Sequence, residues 1–114
     1  MKGSIADKER LAHILDAIRE IEEYTSGVDF EEFMSKSIIR FACIKQLEII
    51  GEAANHISDS IKSLSPSIEW NKIVSLRNIL IHEYFGVLNH IIWQVITADI
   101  PILKEQIQAL SQQI

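Results

Sequence analysis

Helix breakers are scarce in this chain of 114 residues, which has only four glycines and two prolines. That scarcity favours long helices. A single cysteine, Cys43, rules out an internal disulfide. No apolar run approaches the roughly 20 residues that span a bilayer, because charged or amide side chains interrupt every candidate. No strand-like alternation bounded by hairpin turns, internal repeat or low-complexity segment is present. The N-terminus lacks the charged-then-apolar pattern of a secretory signal, which points to the cytoplasm. Bases are also in deficit, with 11 Lys and Arg against 16 Asp and Glu, for a net charge of −5. This speaks against general nucleic-acid binding by a basic surface, which needs clustered Lys and Arg.

What is present is the balance of a packed globular protein, 47% hydrophobic and 24% charged. The length suits one domain over residues 1–114, able to build a single core without disulfide or metal. The charge is uneven. Residues 16–32 carry seven acids against Arg19 alone, whereas residues 33–82 carry six bases and four acids. An acidic protein can therefore still present a neutral or basic groove.

Leu11, Ile14, Leu15, Ile18 and Ile21 follow the spacing of an amphipathic first helix, with Asp7 as its expected N-cap. Gly27 supplies a stop, and Asp29 with Glu32 reads as a capping box opening a short helix that pins Phe30 and Phe33 to the core. A second long helix should begin near Ser35 or Ser37 and continue through Ile57 and Ile61. Its apolar surface is too wide for one neighbour. Within it Gly51, Ala53 and Ala54 form a small-residue patch, where either a tight helix crossing or a ligand should approach. Pro66 among serines marks a loop, and a third helix opens around Glu69 and Trp70. Gly86 should end that helix, and Asn89 should cap a fourth. Pro101 predicts a kink or restart about one turn before it. The expected fold is an all-α antiparallel four-helix bundle with one short extra helix.

One stretch concentrates chemistry: Arg77-Asn78-Ile79-Leu80-Ile81-His82-Glu83-Tyr84-Phe85. Residues four or seven apart share a helix face, whereas residues five apart diverge by about 140°. Asn78 can therefore orient the His82 ring, while Arg77 shares a different face with Tyr84. Either the helix unwinds before His82, or Arg77 and His82 converge only when a second copy supplies one of them, as in a homodimer. An imidazole can take a proton from a hydroxyl near neutral pH, and a guanidinium can hold phosphate oxygens in a fork. Together they suit phosphoryl transfer. With a ribose 2′-OH as the hydroxyl, the outcome is RNA cleavage without metal, and Tyr84 could stack a base or bind a phosphate. The structural alternative is an Arg paired with Glu52 or Glu48 and a His bonded to helix-end carbonyls. His13, His56 and His90 have no Cys or paired carboxylate at zinc-ligand spacing, and Cys43 reads as a small core residue.

The run R-N-I-L-I-H-E-Y-F resembles the R-x4-H-x-Y signature of the HEPN superfamily, in its HepT-like branch of small helical toxins. The likeness extends to residues 8–24, to Gln46 through Ala54, to Trp70, and to the segment from Tyr84 through Pro101. It departs at Leu88-Asn89-His90, where relatives often carry an acid. The resemblance implies a homodimeric, metal-independent endoribonuclease of a type VII toxin–antitoxin pair, needing no cofactor and acting on RNA, tRNA included. It implies a composite cleft lined by Arg77 and His82 of both protomers, with Asn78 and Glu52 in support. It further implies a nucleotidyltransferase antitoxin (MntA-like) that in some members transfers AMP to the motif tyrosine, here Tyr84. Phosphate charge beside Arg77 would block an anionic substrate. The competing function is a non-catalytic helical subunit that binds substrate or nucleotide for a separate nucleotidyltransferase.

Overall fold

A computed structural model describes residues 4–82 and 89–114. Its helices run in the order α1 (Ile5–Thr25), α2 (Phe30–Ser35), α3 (Ser37–His56), α4 (Asp59–Lys62), α5 (Trp70–His82), α6 (Asn89–Gln94), a π-helical turn (Val95–Asp99) and α7 (Ile100–Gln113). The all-α bundle expected from the sequence is present. To the one short helix anticipated at α2, the structure adds the single turn α4. No helix of the described residues is long and apolar enough to cross a membrane.

The first helix starts earlier than expected. Ser4, not Asp7, is the N-cap: the Ser4 hydroxyl accepts from the Asp7 amide at 3.0 Å, and the Ser4 amide donates to the Asp7 carboxylate at 3.4 Å. Asp7 is thus the third helical residue of a reciprocal capping box. Its carboxylate also accepts from the backbone N–H of Ser58 at 3.0 Å and from the Ser58 hydroxyl at 2.9 Å. The same contact explains why α3 stops at His56 instead of continuing through Ile61. Ile57 turns extended, at φ −72° and ψ 136°, and Ser58 becomes the cap of α4, its amide and hydroxyl held by Asp7 rather than by another helical turn.

At the other end of α1, Gly27 takes a positive φ of 72°, a conformation that L side chains rarely adopt. Asp29 then caps α2 by accepting from the Glu32 amide at 2.8 Å. The Arg40 guanidinium donates to the carbonyls of Phe33 and Met34, satisfying acceptors that the end of α2 leaves open. Phe33 is fully buried, its ring 4.9 Å from that of Trp93, while the half-exposed Phe30 lies 6.2 Å from the same ring.

α1 packs on α3, α3 on α5, and α1 again on α7. Leu11, Ile14, Ile18 and Ile21 of α1 meet Leu47, Ile50 and Ala54 of α3 in one core cluster. Full burial of such a side chain contributes about 1.5–3 kcal/mol. Before Pro101 the chain widens into the π-helical turn, and α7 restarts with Pro101 in its first turn. A proline there has no N–H to donate and would clash with the carbonyl four residues earlier. The wider turn accommodates both defects, and the restart falls at the place expected. The wide apolar surface of α3 is only partly covered. Ile38 and Phe41 remain exposed.

Candidate active site at the α3–α5 crossing

The small-residue patch on α3 marks a tight helix crossing, and the residue that crosses there is Arg77. A Cβ built on Gly51 would lie 2.2 Å from the Arg77 Cβ and 2.8 Å from its Cγ. Only glycine lets the two helices approach this closely. The stem of Arg77 is thereby clamped against the backbone of α3, and its guanidinium emerges one residue further along that helix.

There the guanidinium finds two partners. Nη2 donates to Oε2 of Glu52, and Nη1 donates to Oδ1 of Asn78 at 2.8 Å. Nε is shut off from solvent and has no partner among the described residues. A guanidinium has five N–H donors, so one on each terminal nitrogen remains for an incoming oxyanion. The Arg77 side chain is 27% exposed and that of Glu52 48%. The other Glu52 oxygen, Oε1, lies 2.9 Å from Nε2 of His56, one turn further along α3. The His56 hydrogen bond, then the Arg77 charge, hold the Glu52 carboxyl below its ordinary pKa. The result is a four-residue relay, Asn78 to Arg77 to Glu52 to His56.

Arg77, Glu52 and His56 of this relay form one wall of a groove of about 510 Å³ between α1, α3 and α5. Arg10 and His13 line it from α1, Lys45 from α3 and Ile81 from α5. Arg10 donates to the carbonyl of His56 at 3.0 Å, closing the end of α3. The sequence reading did not anticipate Arg10, His13, Lys45 or His56 at this place. His56 could have been found, because it lies four residues after Glu52 and so on the same helix face. No local pattern announces Arg10, whose partner carbonyl is 46 residues away.

His82 is the last described residue of α5 and is exposed, but it is not among the residues lining the Arg77 groove. His82 thus follows Ile81, which lines the groove, without its own side chain forming part of that lining. Asn78 was expected to orient His82, and the structure instead uses its carbonyl oxygen for Arg77. Tyr84, with Glu83 and Phe85 through Leu88, lies outside the described residues, as does the expected break at Gly86. Asn89 is helical, part of α6, rather than a flanking cap. Cys43 is buried, and its thiol is pushed up to about 11 by loss of solvation, in keeping with a core residue. Among the described residues no three His, Cys, Asp or Glu cluster in a way that could hold a metal ion.

The family description Ribonuclease HepT-like matches residues 14–110, and the chain belongs to that family. It is 42% identical over 103 residues to "Probable ribonuclease HepT" of Thermococcus cleftensis, covering 90% of this chain and 94% of that protein. It is 38% identical over 98 residues to "Putative RNase MJ1380" of Methanocaldococcus jannaschii, covering 86% of this chain and 90% of that one. No solved structure gives a significant match.

Proposed function

We propose that this chain is a metal-independent endoribonuclease, the toxin of a type VII toxin–antitoxin pair, which cleaves RNA, tRNA being one candidate, at a site completed by two protomers. The observation that carries the reading is the Arg77 guanidinium. It is anchored by its stem and two hydrogen bonds, and still offers an N–H on each terminal nitrogen to a groove. Arg77 holds the scissile phosphate and stabilises the charge that develops on it, and His82 takes the proton from the 2′-hydroxyl. Glu52 and Asn78 hold Arg77. Membership of the HepT-like family over residues 14–110 supports this assignment.

A second protomer supplies what one chain lacks. Beside the Arg77 groove, and sharing Lys45, Glu48 and Ile81 with it, lies an apolar depression of about 390 Å³ floored by Phe41 and Ile44. Phe41 and Ile81 are both substantially exposed there. A homodimer seated on this depression would bring the partner's helix end to the edge of the groove. The cognate nucleotidyltransferase antitoxin silences the toxin by transferring AMP to Tyr84, which adds phosphate charge to compete for Arg77.

Purified protein should cut single-stranded RNA in the presence of a chelator, and His82→Ala should abolish cutting while leaving helical content unchanged. Retained cleavage in that variant overturns the role of His82. Phe41→Glu should give a monomer by light scattering that folds but does not cut, and a monomer that cuts overturns the shared site. A wild-type chain that never cuts RNA yet binds a nucleotidyltransferase would establish the non-catalytic subunit in its place. Intact mass with and without the transferase tests the addition of AMP to Tyr84.

A further inference from the structure

The last member of the relay, His56, has no part in the reaction proposed above, and its contact has a consequence for Arg77. A free carboxylate and a guanidinium prefer a two-pronged pairing, in which both oxygens meet two nitrogens. Here Glu52 gives Arg77 one oxygen only, because the other is 2.9 Å from Nε2 of His56. Glu52 is about half exposed, and so is His56 at 53%, so bulk packing does not dictate the carboxylate's orientation. The hydrogen bond to His56 does. Nε is shut off from solvent, so the second Glu52 oxygen would close end-on across Nη1 and Nη2, and that fork takes an N–H that a phosphate needs.

We propose that His56 is a positioning residue that keeps Glu52 from closing both prongs on Arg77, so that the guanidinium is oriented by an acid yet remains open to an RNA phosphate. The inference rests on the assignment of RNA as substrate. It concerns the competition between two anions, the internal carboxylate and the external phosphate, for one cation. Glu9 and Arg10 from α1, with Lys45 and Glu48 from α3, line the same groove. Among the described residues only Arg77 and His56 hydrogen-bond or ion-pair with the Glu52 carboxylate, which leaves His56 as the group that decides how many oxygens Arg77 receives.

Substrate binding should suffer more than turnover, because the competing carboxylate weakens ground state and transition state alike. His56→Ala should raise KM about threefold with kcat nearly unchanged, a size set by the modest strength of exposed charged contacts. His56→Gln keeps an N–H donor and should retain the wild-type KM. The KM effect of His56→Ala should vanish when it is made in a Glu52→Gln background, since an amide cannot close on the guanidinium as a carboxylate does. The same variants are titrated with a single-stranded oligonucleotide of mixed sequence carrying 2′-deoxyribose throughout, which cannot be cut by 2′-hydroxyl attack. Its Kd should follow KM. If the wild-type chain cuts RNA but His56→Ala shifts neither KM nor Kd, or the shift persists with Gln at 52, the inference falls and the ribonuclease assignment stands. If Kd shifts as expected while no cleavage is seen, the assignment falls and the inference stands. Melting curves of each variant establish that the fold is intact.

Discussion

Two carboxylates each join a pair of helices, and they do different work. Asp7 joins α1 to the junction of α3 and α4. It is 3% exposed, and each of its partners is a serine amide or hydroxyl. Glu52 joins α3 to α5. It is 48% exposed, and its partners are a guanidinium and an imidazole. Every hydrogen-bond partner of Asp7 is neutral, and both of its oxygens are used. Glu52 sits among groups that can change charge or partner, with solvent access to all of them. A carboxylate of the first kind holds a fold together, and one of the second kind can serve a site.

The sharpest way to break this comparison is to remove the cation that Glu52 serves. Arg77→Ala should lower kcat/KM for RNA by about 10²–10³, the cost of losing one preorganised stabiliser of transition-state charge. Melting temperature should move little, because the Glu52 carboxylate left behind is open to water. Asp7→Ala should do the reverse. It removes the capping box and leaves the amide and hydroxyl of Ser58 without their acceptor, a loss of about 2–3 kcal/mol. Urea unfolding should show that loss, while cleavage per folded molecule stays at the wild-type level. A variant of Asp7 that folds well but cannot cut would erase the distinction.

Gly51 lies between the two cases. Its substitution by alanine drives a methyl group into the Arg77 stem at 2.2 Å, so α5 must move away from α3. Overpacking of this kind costs about 1–3 kcal/mol. Because the displaced atoms belong to Arg77, Gly51→Ala should also lower cleavage per folded molecule. Equal stability loss with full activity would mean that the crossing supports the fold alone.

The two carboxylates also differ in how far the sequence reveals them. A cation in an apolar helix demands an acid, and a glycine among alanines demands a close approach. The first demand left Glu52 and Glu48 as partners for Arg77, and the second marked the approach at Gly51 without naming Arg77 as the residue that makes it. The four long helices were equally legible from the spacing of Leu11 to Ile21 and from the breaks at Gly27, Pro66 and Pro101. Asp7 was misplaced by three positions, although Ser4-Ile5-Ala6-Asp7 carries the spacing of a capping box. Its second role depends on Ser58, 51 residues away, and no local pattern encodes that distance. The groove was legible only on the α3 and α5 sides, since Arg10 and His13 come to it through tertiary packing of α1. The family match begins at residue 14, so Asp7, Arg10 and His13 lie outside it.

The mildest test is titration of Asp7. Burial alone would raise its pKa, but the hydrogen bonds from Ser58 and Ser4 outweigh burial and leave it below the ordinary value of 3.8. Between the folded and unfolded pKa values the unfolded chain binds more protons, so stability must rise with pH across that window. The contribution is complete above the ordinary carboxylate range and is lost as pH falls through the folded pKa. Glu52 is shifted in the same direction, but as an exposed group with charged partners its linkage is screened by salt. Asp7→Asn should therefore remove part of the acid dependence of unfolding at both low and high salt, whereas Glu52→Gln should alter it only at low salt. If the two substitutions respond alike to salt, Asp7 is not sealed from solvent as its burial and serine partners require.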